Sequence, residues 1–187
     1  MTTKNKNHFY FVVLLSFLTT AVLAVLGLGL TLDPNQKTIE TPNKKAYPLN
    51  AIFFSHESLP ESHRQTPWLA QKKPLVVNFW ASWCRSCEQE APHLKKLWED
   101  NQDQLTVLGV SIDTDTSDVE KKIMSRPYPL AIDIDGKTAL NYGVSGVPET
   151  VFINAKGEIQ CHQSGPLTEA VLKKCLDKIL VVKDKNT

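Results

Sequence analysis

Cysteine is scarce in this chain: four in 187 residues. That is too few to build a disulfide-held miniprotein, and the chain is too long to need one. Excess charge is missing as well. Lys and Arg number 21 against 20 Asp and Glu, a formal net charge of +1. With no basic stripe along the chain, the electrostatic footprint of a nucleic-acid binder is absent. There is no internal repeat and no low-complexity tract. Disorder does not fit either, because 42% hydrophobic and 22% charged residues are enough for a packed core. The length suits one compact domain with an appendage, not two ordinary domains.

The sharpest local absence is of charge between Phe9 and Leu32, where Ser16, Thr19, Thr20 and Thr31 are the only polar side chains. As a helix this run would span about 36 Å, enough for a hydrocarbon core of roughly 30 Å. Lys4 and Lys6 precede it and Asp33 follows. By the positive-inside rule residues 1–8 stay cytoplasmic, 9–32 form a transmembrane anchor and the rest is exported. The alternative is a cleaved signal peptide cut near Ala21 or Ala24, but the apolar run continues well past Ala24, longer than such segments usually are. No cysteine follows the run, which argues against a lipoprotein anchor.

Residues 33–48 are polar, with Pro34, Pro42 and Pro48, and read as a linker. A domain over 49–180 and a frayed tail over 181–187 complete the layout. Within the domain the pattern predicts strands at Leu75–Phe79, Leu105–Ile112, Leu130–Asp133, Thr150–Asn154 and Glu158–Gln163. Helices are predicted from the 84–87 region to about Asp100, at Asp118–Met124, Lys137–Tyr142 and Thr168–Leu180. Strands alternating with helices, then a hairpin and a covering helix, give an α/β three-layer α/β/α sandwich with a mixed sheet.

Cys84 and Cys87 stand at C-x-x-C spacing where a buried strand meets a helix. A thiolate is the nucleophile in disulfide exchange, and a helix N-terminus stabilises that anion. The spacing puts Cys87 on the same helical face, placed to attack a mixed disulfide formed at Cys84. Cys84 is therefore the attacking thiol and Cys87 the resolving one, with Trp83 beside an exposed first sulfur. A zinc site would need a second pair of ligands. His93, Cys161, His162 and Cys175 provide no such spacing, so neither metal nor other cofactor is expected.

Two further features bear on the site. Pro148 directly precedes a predicted strand; a cis bond there would free adjacent backbone for an extended substrate, with Val147, Pro148 and Thr150 along the contact. The bare sequence favours an ordinary trans loop proline. Glu90, one turn after Cys87, is either a proton acceptor near the sulfurs or a solvated surface glutamate.

The stretches Val77-Asn-Phe-Trp-Ala-Ser-Trp-Cys-Arg-Ser-Cys87, Glu90-Ala-Pro92 and Tyr142-Gly-Val-Ser-Gly-Val-Pro-Glu-Thr150 resemble the cytochrome c maturation thioredoxins. These are the CcmG/DsbE type, within the wider ResA- and TlpA-like set of membrane-tethered reductases. The resemblance covers about residues 48–180 and implies a thioredoxin-like fold and a thiol–disulfide oxidoreductase in the periplasm. It implies electrons from a membrane thiol carrier, and as substrates apocytochrome c or its maturation proteins. It also implies a cis bond at Pro148 and acidic residues near the active site at Glu90 and Glu149. Asn78 replaces the buried aspartate of thioredoxin, passing proton handling to Glu90 or Glu149. Arg85-Ser86, between the cysteines, departs from the proline common there. Arg85 would lower the Cys84 pKa and make the disulfide more oxidising, while the two glutamates oppose it. The rival readings are a general periplasmic reductase or isomerase, and a thioredoxin-fold binding module or chaperone.

The remaining cysteines lie apart in sequence. Cys161, expected to share a face with Ile159, and Cys175, on the apolar stripe of the last helix, could meet across one interface. A bridge would close a loop of about 14 residues, stabilising by roughly 3 kcal/mol. Two separate buried thiols are the favoured expectation.

Overall fold

The computed structural model describes residues 3–31, 37–39, 44–54, 72–123 and 125–180. The tail 181–187, the linker positions 33–36 and 40–43, and Met124 fall outside them. Contacts divide the chain into two units, Met1–Asn35 and Gln36–Thr187. The first holds one helix, α1 (Thr3–Thr31), whose Phe9–Gly27 portion is long and apolar enough to cross a bilayer.

The second unit is organised around β4 (Leu75–Trp80), which is buried along its whole length. It lies between β5 (Thr106–Ser111), to which it is parallel, and β7 (Glu149–Ile153), to which it is antiparallel. A strand covered on both faces carries apolar residues at nearly every position rather than at alternate ones, as Leu75-Val-Val-Asn-Phe-Trp80 does. Successive side chains still point opposite ways. Val76 and Trp80 join the cluster under α2 (Arg85–Asn101) and α5 (Glu169–Leu180). Leu75, Val77 and Phe79 join the cluster under α4 (Lys137–Tyr142). Helices on both faces of a mixed sheet make the expected three-layer sandwich. The sheet extends outward through β6 (Leu130–Ile132) and β3 (Ile52–Phe54) on one side and β8 (Glu158–Ser164) on the other. A further helix, α3 (Thr116–Ile123), packs Val119 into the α2 side of the core.

The sequence-based element assignments hold, with ends moved by one or two residues. Three expectations need correction. The 33–48 stretch, read as a plain linker, supplies two strands, β1 (Lys37–Ile39) and β2 (Lys44–Lys45), both antiparallel to β8. Strand pairing uses main-chain groups, so polar side chains do not prevent a nearby segment from covering an open edge. Secondly, Ile159 and Cys161 lie on opposite faces, Ile159 in the α4-side cluster and Cys161 in the α2/α5-side one. Ile153 pairs with Ile159 and Phe152 with Cys161, so Gln160 is an extra residue in a bulge that reverses the alternation. Thirdly, Cys161 and Cys175 are not separate thiols. They are joined as a disulfide with Cα atoms 5.8 Å apart, because the bulge turns Cys161 toward α5.

Gly109 of β5 shows how tightly the α2 side is filled. A Cβ there would lie 2.7 Å from Leu130 Cδ2, 3.1 Å from Trp80 Nε1 and 3.2 Å from Tyr128 Cε2. Trp80 and Tyr128 are buried and cannot swing away. Gly109→Ala should destabilise the domain by about 1–3 kcal/mol in denaturant titration. A loss below about 0.5 kcal/mol, the range of ordinary surface changes, would mean that this layer is less closely packed than described.

Candidate active site

The buried β4 ends at Trp80, and a short turn delivers the chain to Cys84, the N-cap of α2. Its backbone is extended (φ −83°, ψ 107°), and its Sγ accepts a hydrogen bond from the Cys87 backbone N–H at 3.1 Å. A sulfur thus occupies the capping position usually taken by an oxygen. There the unpaired N–H groups of the first turn and the positive end of the helix dipole favour a thiolate. Cys84 and Cys87 form a disulfide with Cα atoms 5.3 Å apart. Contrary to the sequence-based expectation, the first sulfur is not exposed: Cys84 is 5% and Cys87 2% exposed, because both pack into the core cluster under α2. It is the neighbouring Trp83, 71% exposed, that presents an apolar surface beside them. Ser86 Oγ lies 3.5 Å from Cys84 Sγ. Arg85 is exposed.

The turn before Cys84 is held by Asp113, which follows β5. Its carboxylate accepts from the Ser82 backbone N–H and the Ser82 hydroxyl, each at 2.9 Å, and from Ser111 Oγ at 2.5 Å. A single acidic residue after a strand carries no sequence signal for this task, and the sequence reading missed it.

Glu90 is not a solvated surface residue: it is 2% exposed and shares the inward stripe of α2 with Cys87, Leu94, Leu97 and Trp98. One carboxylate oxygen accepts from Asn78 Nδ2 at 2.7 Å, the other from the Leu167 backbone N–H at 2.8 Å. The same Asn78 amide donates to Thr150 Oγ1 at 3.0 Å. Thr150 is fully buried, so its side chain belongs to this internal network and does not line the surface. Burial pushes the Glu90 carboxyl up to about 7, against the opposing pull of the Leu167 N–H, the Asn78 amide and the Arg126 charge.

Glu149 is also buried but differently served. Oε1 accepts from Ser145 N (2.9 Å), Ser145 Oγ (2.8 Å) and Gly146 N (3.2 Å), and Oε2 lies 2.5 Å from His162 Nε2. Burial raises its pKa, but His162 and the Ser145 donors outweigh it and hold the carboxyl below the ordinary range. These partners tie the 145–149 loop to β8. The Val147–Pro148 bond in that loop is cis, as the resemblance implied and the bare sequence did not. Pro148 is buried, and Val147 is half-buried between the two core clusters.

Arg126 escaped the sequence reading because an arginine in a loop ordinarily faces water. It is 2% exposed, its guanidinium 4.1 Å from the Trp80 ring centroid, and it pairs with Glu88 at 3.0 Å. Burial raises the Glu88 pKa, but Arg126 and Lys122 more than offset this and leave the carboxyl below its usual range. The pair attaches the first turn of α2, one residue past Cys87, to the segment after α3.

The raised Glu90 pKa has a stability consequence of definite sign. The folded state holds this proton up to about pH 7, whereas an unfolded glutamate releases it near 4.5. Stability is thus fully present below about 4.5 and declines as pH rises to about 7, by roughly 3 kcal/mol. In oxidised protein, where no thiol titrates, Glu90→Gln should remove this part of the pH dependence of urea unfolding. An unchanged slope in the variant would mean that Glu90 is ionised normally.

The model of the AhpC/TSA family matches residues 60–162, more than half of the chain. The thiol:disulfide interchange protein DsbE of Pseudomonas fluorescens biotype C is 37% identical over 161 residues, 83% of either chain. The interchange protein HelX of Rhodobacter capsulatus is 40% identical over 116 residues, 60% of this chain and 64% of its own. The crystal structure of a thiol-disulfide isomerase from Corynebacterium glutamicum has the same fold, with a TM-score of 0.57 over 73% of this chain and 97% of that one at 21% identity. With its C-x-x-C disulfide at the head of α2, the chain belongs to the AhpC/TSA family of thioredoxin-like proteins and is a thiol–disulfide oxidoreductase homologous to the DsbE-type interchange proteins.

Proposed function

We propose that the protein is a membrane-anchored periplasmic reductant of the bacterial inner membrane that reduces the disulfide of apocytochrome c, or of a protein that handles it, so that haem can attach. The observation that carries the redox part is the Cys84–Cys87 disulfide at the head of α2, with Cys84 Sγ capping the helix. The buried Glu90, one turn on, has its carboxyl pushed up to about 7 by burial. The anchor rests on the apolar Phe9–Gly27 portion of α1, with Lys4 and Lys6 ahead of that portion. The substrate rests on the motif resemblance at 77–92 and 142–150 and on the kinship with DsbE-type proteins.

The reaction follows from the residues in place. The Cys84 thiolate attacks one sulfur of the substrate disulfide; that S–S bond breaks, and the departing substrate thiolate takes a proton. Glu90, as carboxylate, accepts the Cys87 proton, and the Cys87 thiolate attacks Cys84 Sγ in the mixed disulfide. The second substrate thiolate leaves and is protonated, and Cys84–Cys87 ends as a disulfide. The substrate has gained two electrons and two protons. A membrane dithiol carrier reverses the change on the enzyme. Trp83 and the Val147–Pro148 segment form the docking surface for an extended segment, while Glu149 keeps the loop in shape and Arg85 and Ser86 tune Cys84.

Cys87→Ala in cells stops the cycle at the mixed disulfide. The captured partner is expected to be an exported apocytochrome with a C-x-x-C-H segment or a protein of its maturation. Capture of many unrelated exported proteins at Cys84 would instead mark a general reductase or isomerase, and capture of none would contradict both.

A further inference from the structure

The second disulfide has no part in that cycle. Cys161 in β8 and Cys175 in α5 are each 0% exposed and lie inside the core cluster that also holds Phe152, Leu167 and Ile179. Their meeting depends on the bulge at Gln160, which turns Cys161 to the α5 side, and on Thr168, whose hydroxyl caps α5 by accepting from Val171 N at 3.3 Å. Cys84 keeps a 5% opening beside the exposed Trp83 at the head of α2, whereas the described residues leave neither Cys161 nor Cys175 any exposure. We infer that Cys161–Cys175 is a permanent cross-link, installed once by a separate thiol oxidant and untouched by turnover at Cys84 and Cys87.

The chemistry places that oxidation early. Forming the bond takes two electrons and two protons from the pair of thiols, and a disulfide donor must receive them, becoming a dithiol. The Cys84–Cys87 pair cannot serve as the lasting donor, because the proposed function keeps it supplied with electrons. Thiol–disulfide exchange needs in-line approach to a sulfur, and neither sulfur is accessible once α5 has packed. The donor therefore acts before or during docking of α5, and reductants fail to reverse the bond afterwards. A protein that delivers reducing equivalents thus depends for its own maturation on the opposite class of reaction, disulfide donation to a nascent exported chain. The inference rests on the proposed function for its oxidising compartment, and its test separates the two.

The full chain with both Cys84→Ser and Cys87→Ser leaves only this pair to count. Protein taken directly from cells into acid, denatured and treated with a maleimide is expected to show no free thiol, and two after reduction in denaturant. Native protein given dithiothreitol before the maleimide should still show none. Two free thiols in chains that protease accessibility places outside the membrane would overturn the inference alone; the same result in chains protected inside would overturn the exported placement with it. In a host lacking its periplasmic disulfide donor both thiols should be free, and an undiminished bond there would overturn the need for a separate oxidant. Cys161→Ala with Cys175→Ala in an otherwise unchanged chain should lower the denaturation midpoint and leave the Cys84–Cys87 potential where it was. A shifted potential would show that the second bond takes part in turnover.

Discussion

The position of one strand end governs the site. β4 is clamped between β5 and β7 and covered on both faces, so Trp80 cannot move without disturbing the middle of the sheet. Asp113 fixes the turn that follows, and the Arg126–Glu88 pair fixes the first turn of α2. Cys84 is thereby held as the cap of that helix, where backbone N–H groups and the helix dipole act on its sulfur. Reactivity here comes from where the chain is forced to turn, since a cysteine with the same neighbours in a loose loop would be an ordinary thiol.

Two buried glutamates with opposite fates illustrate how environment assigns roles. Both are about 2% exposed. Glu149 is surrounded by donors on a loop that must keep its shape, and it remains ionised as a structural anchor. Glu90 has one amide and one backbone N–H in an apolar layer, too few to offset burial, and so titrates near neutral pH. Of the two, Glu90 is the one whose burial suits the proton-accepting role proposed for it. It stands one turn from Cys87, where a resolving thiol has a proton to lose.

Much of this was legible in the sequence, for identifiable reasons. A continuous apolar run is what a doubly covered strand requires, so β4 was plain, and C-x-x-C directly after it located the helix cap. Thr168 and the stripe through Cys175 and Ile179 marked α5. What stayed hidden depends on main-chain or long-range geometry. Pairing of Lys37–Ile39 and Lys44–Lys45 with β8 leaves no side-chain pattern. The bulge at Gln160 changes the facing of Cys161 without changing composition, so the sequence offered the second disulfide only as the less favoured of two readings. Arg126 and Asp113 act through partners 38 and 31 residues away in sequence. The burial of Glu90 depends on Leu167, which only the folded chain brings close.

The claim on which the account rests is that the head of α2 makes Cys84, and not Cys87, the attacking thiol. The direct measurement is a brief iodoacetamide pulse on reduced native protein from mildly acid to mildly alkaline pH, with label mapped to each cysteine by mass spectrometry. Cys84 is expected to label readily even at mildly acid pH, with Cys87 protected until the protein is denatured. Faster labelling of Cys87 across that range would contradict the assignment and the mechanism built on it.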